Sequence, residues 1–260
     1  MSIHPSAIID PRAKLDPSCE VGPFAVIRGD VTMGKGNKVD SHAIIGSENG
    51  KVTIGENNHF HSGSIIGGPP QDLKFKGEVT ELRIGNGNIF REFVTVNVGT
   101  VTGGGITQIG DQNLLMAYVH IAHDCQLGSH IAIANTSNFA GHVVVEDHVR
   151  VGGVCSFNQF IRIGKHSFIA GDSAVNKDIL PFTRAQGKYA VSRALNSIGL
   201  ERAGYSKDEI ANLKKAVRLL IMGDRTIEEA LKEIETQCAP SEAIQYFTQF
   251  IQGSERGVAR

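Results

Sequence analysis

Apolar side chains recur at every sixth position along most of the first 175 residues. Twenty-six such positions fall in four in-phase blocks, which run from Ile3 to Ile45, Ile54 to Ile66, Ile84 to Val96 and Ile109 to Val175. A step of six is neither the two-residue period of a strand nor the 3.6-residue period of a helix. It is typical of a hexapeptide unit with one short strand and a turn, three of which make a triangular coil of about eighteen residues. The pattern therefore predicts a parallel β-helix with coils stacked at about 4.8 Å.

Two polar segments, at about 67–83 and 97–108, interrupt this period. We interpret them as loops that project from the β-helix. Long loops on a rigid scaffold are frequent sites of function, although simple surface insertions are the alternative.

The period changes after Pro181. Ser206 to Glu209 and Thr226 to Glu229 each read as a capping box ahead of apolar residues at helical spacing. A third helix is predicted from Pro240 to about Ile251. The expected division is a β-helix over 1–181, with its two inserted loops, and a C-terminal α-helical domain over 182–260 that closes one end of the coil.

The bulk composition narrows the function classes. The net charge of −1 argues against a broad surface for nucleic acid or membrane lipid. The N-terminus lacks the pattern of a signal peptide, and no apolar run is long enough for an integral membrane segment. The four cysteines form no CxxC pair and no metal-ligand spacing, which favours buried thiols in a reducing, cytoplasmic setting.

Candidate chemistry lies in the longest block of repeats. Residues eighteen apart are stacked neighbours, which gives two columns: His123, Gly141 and Gln159, and Asp124, His142 and Phe160. His123 lies two residues beyond the inward Ile121, so it is expected near a corner, where an imidazole can serve as a general base. Gly141 leaves its backbone N–H open to a developing oxyanion. Asp124 is placed to orient or charge-stabilise the imidazole, although adjacent side chains diverge where the backbone is extended.

Two alternatives apply to this constellation. The chain has ten histidines, so a histidine at such a position can arise without a catalytic role. His120, His123 and His142 are also candidate zinc ligands, as in the zinc-dependent carbonic anhydrases with this type of repeat. His120 is expected to face a different way from His123, which argues against that metal site, and we expect no metal and no cofactor.

Several segments together resemble the acyl-carrier-protein-dependent UDP-N-acetylglucosamine acyltransferases, which begin lipid A biosynthesis. The segments are QDLKFKGE (71–78), IGNGNIFRE (84–92), GTVTGGGITQIG (99–110), QNLLM (112–116), HIAHDC (120–125), AGHV (140–143), NQF (158–160), AQG (185–187) and RAGYS (202–206). The resemblance covers essentially the whole chain, and HIAHDC with QDLK and AGH is its most specific part.

The resemblance implies a left-handed parallel β-helix, a homotrimer with active sites between subunits, and transfer of a 3-hydroxyacyl group from acyl carrier protein to the glucosamine 3-position of the UDP-sugar. It implies that His123 is the general base and that the Gly141 N–H is the oxyanion donor. The substrate-binding residues that it implies are Gln71, Asp72, Lys74, His120, His142, Gln159, Asn196 and Arg202. It further implies that Gly171 limits acyl length. Lys214, Lys215 and Arg218 are candidates to receive the carrier protein, or are simply a solvated helix face.

Departures from the common family pattern fall on the segments expected to bind substrate. They are Asn97 and Val98 in place of His-Arg, Asn158 in place of His, and Ile198 in place of Glu. Some relatives with an NSxG segment use a 3-amino analogue of the sugar and form an amide, so the acceptor stays open between the two sugars. Another hexapeptide acyltransferase and a non-catalytic β-helix module that binds a nucleotide sugar are the remaining alternatives.

Overall fold

The structure is a computed structural model that describes residues 2–260, and short strands dominate it. In chain order the strands are β1 (Ser2–Ile3), β2 (Ile8–Ile9), β3 (Lys14–Leu15), β4 (Glu20–Val21), β5 (Val26–Ile27), β6 (Asp30–Met33), β7 (Lys38–Val39), β8 (Ile44–Ile45), β9 (Gly50–Ile54), β10 (His59–Phe60), β11 (Ile65–Gly68), β12 (Thr80–Ile84), β13 (Ile89–Phe90), β14 (Thr95–Asn97), β15 (Ile106–Ile109), β16 (Leu114–Leu115), β17 (His120–Ile121), β18 (Gln126–Leu127), β19 (Ala132–Ile133), β20 (Asn138–Phe139), β21 (Val144–Val145), β22 (Arg150–Val151), β23 (Ser156–Phe157), β24 (Arg162–Ile163), β25 (Phe168–Ile169), β26 (Ala174–Val175), β27 (Thr183–Gly187) and β28 (Ala190–Leu195). The helices are α1 (Ser197–Arg202), α2 (Lys207–Ile221), α3 (Ile227–Gln237) and α4 (Glu242–Gln252), and Val101–Gly103 forms a 3₁₀ turn.

Every third strand joins the same sheet, so three parallel sheets form the faces of a triangular prism. The first sheet runs from β1 through β4 to β25 and continues into β27 and β28; the second holds β2 through β26, and the third β3 through β24. The register follows the eighteen-residue coil, as where His120 pairs with Asn138 and Ile121 with Phe139. The predicted parallel β-helix is confirmed.

The core consists of the side chains at the six-residue step. Phe139 and Phe157 stack inside the prism with ring centroids 4.2 Å apart, and both are buried. Ile3 is 37% exposed, and its strand β1 lies at the edge of the first sheet, paired with β4. A buried column of asparagines (Asn37, Asn58, Asn88 and Asn113) runs along one corner and binds backbone groups of adjacent turns. These side chains satisfy polar groups that the turns would otherwise leave buried and unpaired.

The corners of the prism have an unusual backbone. Within the described range 2–260, sixteen residues other than glycine have positive φ, among them Asp124 at +61°, His142 at +65° and Phe160 at +64°. Such residues rarely adopt this region. Its repetition at equivalent turns stacks side chains in columns along the outside of the prism.

The C-terminal part begins with a hairpin before its helices. β27 pairs in parallel with β25, and β28 returns antiparallel to it, so the first sheet continues past Pro181. The three predicted helices and both capping boxes are present. The hairpin and the short helix α1 were not predicted. Leu180 and Phe182 share one hydrophobic cluster with the helices, which ties this part to the end of the prism.

Among residues 2–260, each helix is too short or too polar to cross a membrane.

Candidate active site

The predicted columns meet at the corner between the second and third sheets. His123 and Asp124 form the turn between β17 and β18, and Gly141 and His142 form the equivalent turn one coil along. The His142 N–H donates to the His123 carbonyl at 3.1 Å, and the Phe160 N–H donates to the Gly141 carbonyl at 3.3 Å. The stacking expected from the eighteen-residue spacing is therefore present.

His123 and Asp124 interact directly. Nδ1 of His123 lies 2.7 Å from Oδ2 of Asp124. Adjacent side chains would diverge on an extended strand, but the positive φ of Asp124 turns its carboxylate back toward the preceding imidazole. Because a carboxylate accepts here, Nδ1 carries the proton and Nε2 is left as the acceptor.

The Asp124 carboxylate is buried, with a side chain only 1% exposed, and the loop after β14 supplies its donors. The Thr100 N–H donates to Oδ1 at 2.8 Å and the Thr100 hydroxyl donates to Oδ2 at 2.6 Å. The Asp124 N–H in turn donates to Thr107 Oγ1 at 2.8 Å. A buried carboxylate with this many hydrogen-bond partners is held in one position, so it can fix the orientation of His123.

Gly141 lies against the face of the imidazole. A Cβ placed on Gly141 would come within 2.5 Å of Cε1 and 2.9 Å of Nε2 of His123. Only glycine leaves the ring in place at this contact. The Gly141 N–H has no acceptor among residues 2–260, so it is available to a ligand.

The His142 side chain packs beside His123 and Gly141. Its ring stacks on Phe160 at 4.3 Å and meets the His123 ring edge-on at 5.3 Å. Burial lowers the pKa of His142, with a smaller contribution in the same direction from His123, while Asp124 and Asp72 act to raise it. The imidazole is therefore neutral near pH 7 and is suited to hydrogen bonding with a substrate.

His120 projects from the second sheet and binds Thr95, with 2.7 Å between Nδ1 and Oγ1. Burial lowers its pKa, and the neighbouring His123 adds to that effect. The ligand atoms of His123, Asp124 and His142 lie within 4.8 Å of one another, so these three side chains could hold a metal ion. His120 does not belong to that group.

The first inserted loop approaches the site through Asp72, whose charge acts on the His142 pKa. The Lys74 N–H donates to Asp72 Oδ1 at 3.0 Å, while the side chains of Gln71 and Lys74 are exposed. Asn97 holds the start of this loop, because its Nδ2 donates to the Pro69 carbonyl at 2.9 Å.

The positions that depart from the family pattern have different environments. Val98 is buried in the core, and the Oδ1 of Asn97 is buried without a partner. Asn158 and its neighbour Gln159 are exposed beside the His142–Phe160 stack. Ile198 is 59% exposed in α1.

Three of the predicted site residues lie elsewhere in the chain. Gly171 is on the corner between the first and second sheets, after β25. Asn196 caps α1 and donates through Nδ2 to the His166 carbonyl at 2.9 Å, on the corner between the third and first sheets. Arg202 is exposed at the end of α1. Within one chain these residues do not share a corner with His123.

Sequence reasoning missed Thr100 and Thr107, the threonines that hold Asp124, and also Thr95. Thr100 and Thr107 lie at the ends of the second interruption, outside the six-residue period. The available signal was chemical: a carboxylate next to a buried turn needs donors, and a nearby threonine-rich loop can supply them.

Comparisons with known proteins identify similar chains. The family model described as "Udp N-acetylglucosamine O-acyltransferase; Domain 2" matches residues 178–259. The acyl-[acyl-carrier-protein]–UDP-N-acetylglucosamine O-acyltransferase of Anaeromyxobacter dehalogenans is 44% identical over 100% of both chains. The enzyme of that name from Janthinobacterium is 46% identical over 99% of both.

Solved structures show the same likeness. The UDP-N-acetylglucosamine O-acyltransferase from Moraxella catarrhalis superposes with a TM-score of 0.93, 39% identity and 100% coverage of both chains. The UDP-N-acetylglucosamine acyltransferase from Campylobacter jejuni gives 0.91, with 38% identity and 99% coverage of both. The left-handed parallel β-helix with a C-terminal α-helical domain is thus confirmed. With full-length identity of this order and a shared fold, the chain belongs to the acyl-[acyl-carrier-protein]–UDP-N-acetylglucosamine O-acyltransferase family.

Proposed function

We propose that the protein transfers a 3-hydroxyacyl group from acyl carrier protein to the 3-hydroxyl of the glucosamine in UDP-N-acetylglucosamine, the first step of lipid A biosynthesis. The observation that carries this proposal is the His123–Asp124 pair packed against Gly141, whose backbone N–H has no acceptor among residues 2–260. A base with a free Nε2 beside a backbone donor is the arrangement that acyl transfer to a hydroxyl requires.

In the first step, Nε2 of His123 removes the proton of the sugar 3-hydroxyl as its oxygen attacks the thioester carbonyl. The imidazolium that forms is stabilised by Asp124, whose carboxylate lies 2.7 Å from Nδ1. The Thr100 donors keep that carboxylate in place during the proton transfer.

In the second step, the tetrahedral intermediate collapses. Its oxyanion accepts a hydrogen bond from the Gly141 N–H, which other residues leave free. The carbon–sulfur bond breaks, and the carrier thiolate leaves with the proton held by His123. The ester product and free carrier thiol balance the reaction, and His123 returns to its neutral form.

The acceptor sugar is proposed to bind between this corner and the first inserted loop. His142 and His120, whose pKa values burial lowers, supply neutral imidazoles. Gln71, Asp72 and Lys74 on the loop, and Gln159 on the next turn, supply further polar groups. The approach of Asp72 to His142 supports this placement.

We further propose that the working protein is a homotrimer with its sites between subunits. Gly171, Asn196 and Arg202, assigned to acyl length and nucleotide binding, lie on other corners of the prism than His123. If one substrate contacts both these three residues and His123, the three residues must come from a neighbouring copy of the chain. Exposed Lys214, Lys215 and Arg218 of α2 are proposed to receive the acidic carrier protein. The four free, buried cysteines favour a reducing, cytoplasmic setting.

The function is tested by product analysis. Purified protein is given 3-hydroxyacyl carrier proteins of several chain lengths, with UDP-N-acetylglucosamine and its 3-amino analogue in competition. Mass spectrometry is expected to find the 3-O-acylated sugar and free carrier thiol. An amide as the main product would reassign the acceptor to the 3-amino sugar, and no acyl product with either sugar would contradict the proposal. Light scattering in the same buffer tests the trimer.

A further inference from the structure

A second cluster of metal-binding side chains lies away from His123, at the corner between the first and second sheets. His59 Nε2 is 3.0 Å from one oxygen of Asp40, and His61 Nδ1 is 3.2 Å from the other. The two imidazole rings stack with centroids 3.9 Å apart. The ligand atoms of these three residues lie within 4.8 Å of one another.

The backbone holds the cluster in place. His59 and His61 flank Phe60, which is buried in the core, so the alternation of a strand points both histidines outward. The Asp40 N–H donates to the Phe60 carbonyl at 2.8 Å, and the His61 N–H donates to the Phe90 carbonyl at 2.8 Å. Three adjacent coils therefore fix the positions from which the ligands project.

The ligand atoms lie close enough together to share one metal ion. Bonds of about 2.0–2.1 Å to zinc place neighbouring ligand atoms of a tetrahedron roughly 3.3 Å apart. The two nitrogen–oxygen separations of 3.0 and 3.2 Å are within a few tenths of an ångström of that value. Each nitrogen contacts a different oxygen of Asp40, so an ion would replace these two contacts and bind the carboxylate through one oxygen or both.

We propose that Asp40, His59 and His61 form a binding site for a divalent transition-metal ion such as Zn²⁺. Two imidazoles and one carboxylate suit such ions, whereas Mg²⁺ and Ca²⁺ prefer sites built from oxygen alone. The fourth position is left to water or to Glu92, whose Oε1 lies 3.9 Å from His61 Nδ1 and which Arg91 holds at 3.0 Å.

The role of this site is structural and does not depend on acyl transfer. Asp40 follows β7, whereas His59 and His61 belong to the next coil, in which the insertion after Ile45 extends the chain. Val39 and Phe60 are register partners although 21 residues separate them, three more than in a regular coil (60 − 39 = 21). The ion would link the two ends of this enlarged coil. Because it would bind the folded state in preference to the unfolded chain, it would stabilise the folded state by mass action.

The test is Zn²⁺ titration of the metal-free, full-length protein by isothermal calorimetry. Asp40→Asn, His59→Gln and His61→Gln are each expected to weaken binding at this site at least tenfold. His130→Gln, which alters a histidine outside both clusters, is the matched control and should bind as wild type. Because His123, Asp124 and His142 are the other possible ligand group, His142→Gln is titrated in parallel.

Two further readouts separate this site from an effect on folding or catalysis. X-ray absorption of the zinc-loaded protein should show nitrogen and oxygen neighbours at about 2.0–2.1 Å. Zn²⁺ should raise the melting temperature of the wild type but not of Asp40→Asn, while both keep the same acyl-transfer rate. Absence of binding, unchanged binding in the three cluster variants, or loss of binding only in His142→Gln would overturn the proposal.

Discussion

Replacement of Gly141 by alanine tests whether the packing of this residue against His123 holds the imidazole in its catalytic position. The new Cβ would lie 2.5 Å from His123 Cε1, whereas carbon atoms in contact are about 3.5–4.0 Å apart. The ring must therefore move by about 1 Å. It cannot do so without lengthening the 2.7 Å contact to Asp124, since that carboxylate is buried and held by Thr100. A misplacement of this size costs about 100-fold in rate, or about 2.7 kcal/mol of transition-state stabilisation.

The assay is steady-state acyl transfer, with the melting temperature recorded on the same samples. Gly141→Ala should lose about 100-fold in kcat and keep its melting temperature within about 4 °C, because the substitution strains a single corner turn outside the apolar core. Gly253→Ala is the matched control: its Cβ would meet the nearest atom, a carbonyl oxygen at the end of α4, at 3.4 Å. An unchanged rate in Gly141→Ala, or a rate loss that simply follows unfolding, would refute the reasoning.

Two further outcomes follow from the structure. Asp124→Asn should lower kcat about 10³–10⁴-fold at unchanged fold, because an amide no longer fixes the Nδ1-protonated tautomer. Steady-state kcat and the melting temperature of the same samples check this, and a rate within a few-fold of wild type would contradict it. Burial lowers the pKa of His166 to about 4 from its ordinary 6.5. As the pH falls, the unfolded chain therefore binds a proton at this histidine before the folded protein does. The free energy of unfolding should fall by at most about 3 kcal/mol as the pH drops from 6.5 to 4. Urea midpoints across that range should fall less in His166→Phe, and equal falls in both proteins would contradict this assignment.

The period of six carried most of the fold prediction. It requires only that one apolar side chain per strand faces inward, and Ile121, Phe139 and Phe157 do so in successive coils. The hairpin of β27 and β28 has no such period, because its strands lie where the prism ends and pair antiparallel. Capping boxes, in contrast, are local signals, and both predicted helix starts were found.

Sequence alone predicted only those parts of the site that follow from the stacking of successive coils. The eighteen-residue spacing places Gly141 beside His123, as observed. The direct His123–Asp124 contact was not predictable, since it depends on the positive φ of Asp124, which residue type alone does not indicate. The Thr100 contacts depend on how an aperiodic loop folds back across the corner. Contacts made by a long insertion depend on the tertiary structure, so the repeat does not predict them.

The most direct test of the central claim is the single-turnover rate of His123→Ala with saturating acyl carrier protein and sugar. The claim that Nε2 of His123 is the base predicts a fall of about 10²–10⁴-fold in the chemical step, with the melting temperature and assembly state unchanged. His130→Ala, a histidine on another corner, should react at the wild-type rate. A His123→Ala rate within a few-fold of wild type would show that another group is the base and would contradict the account.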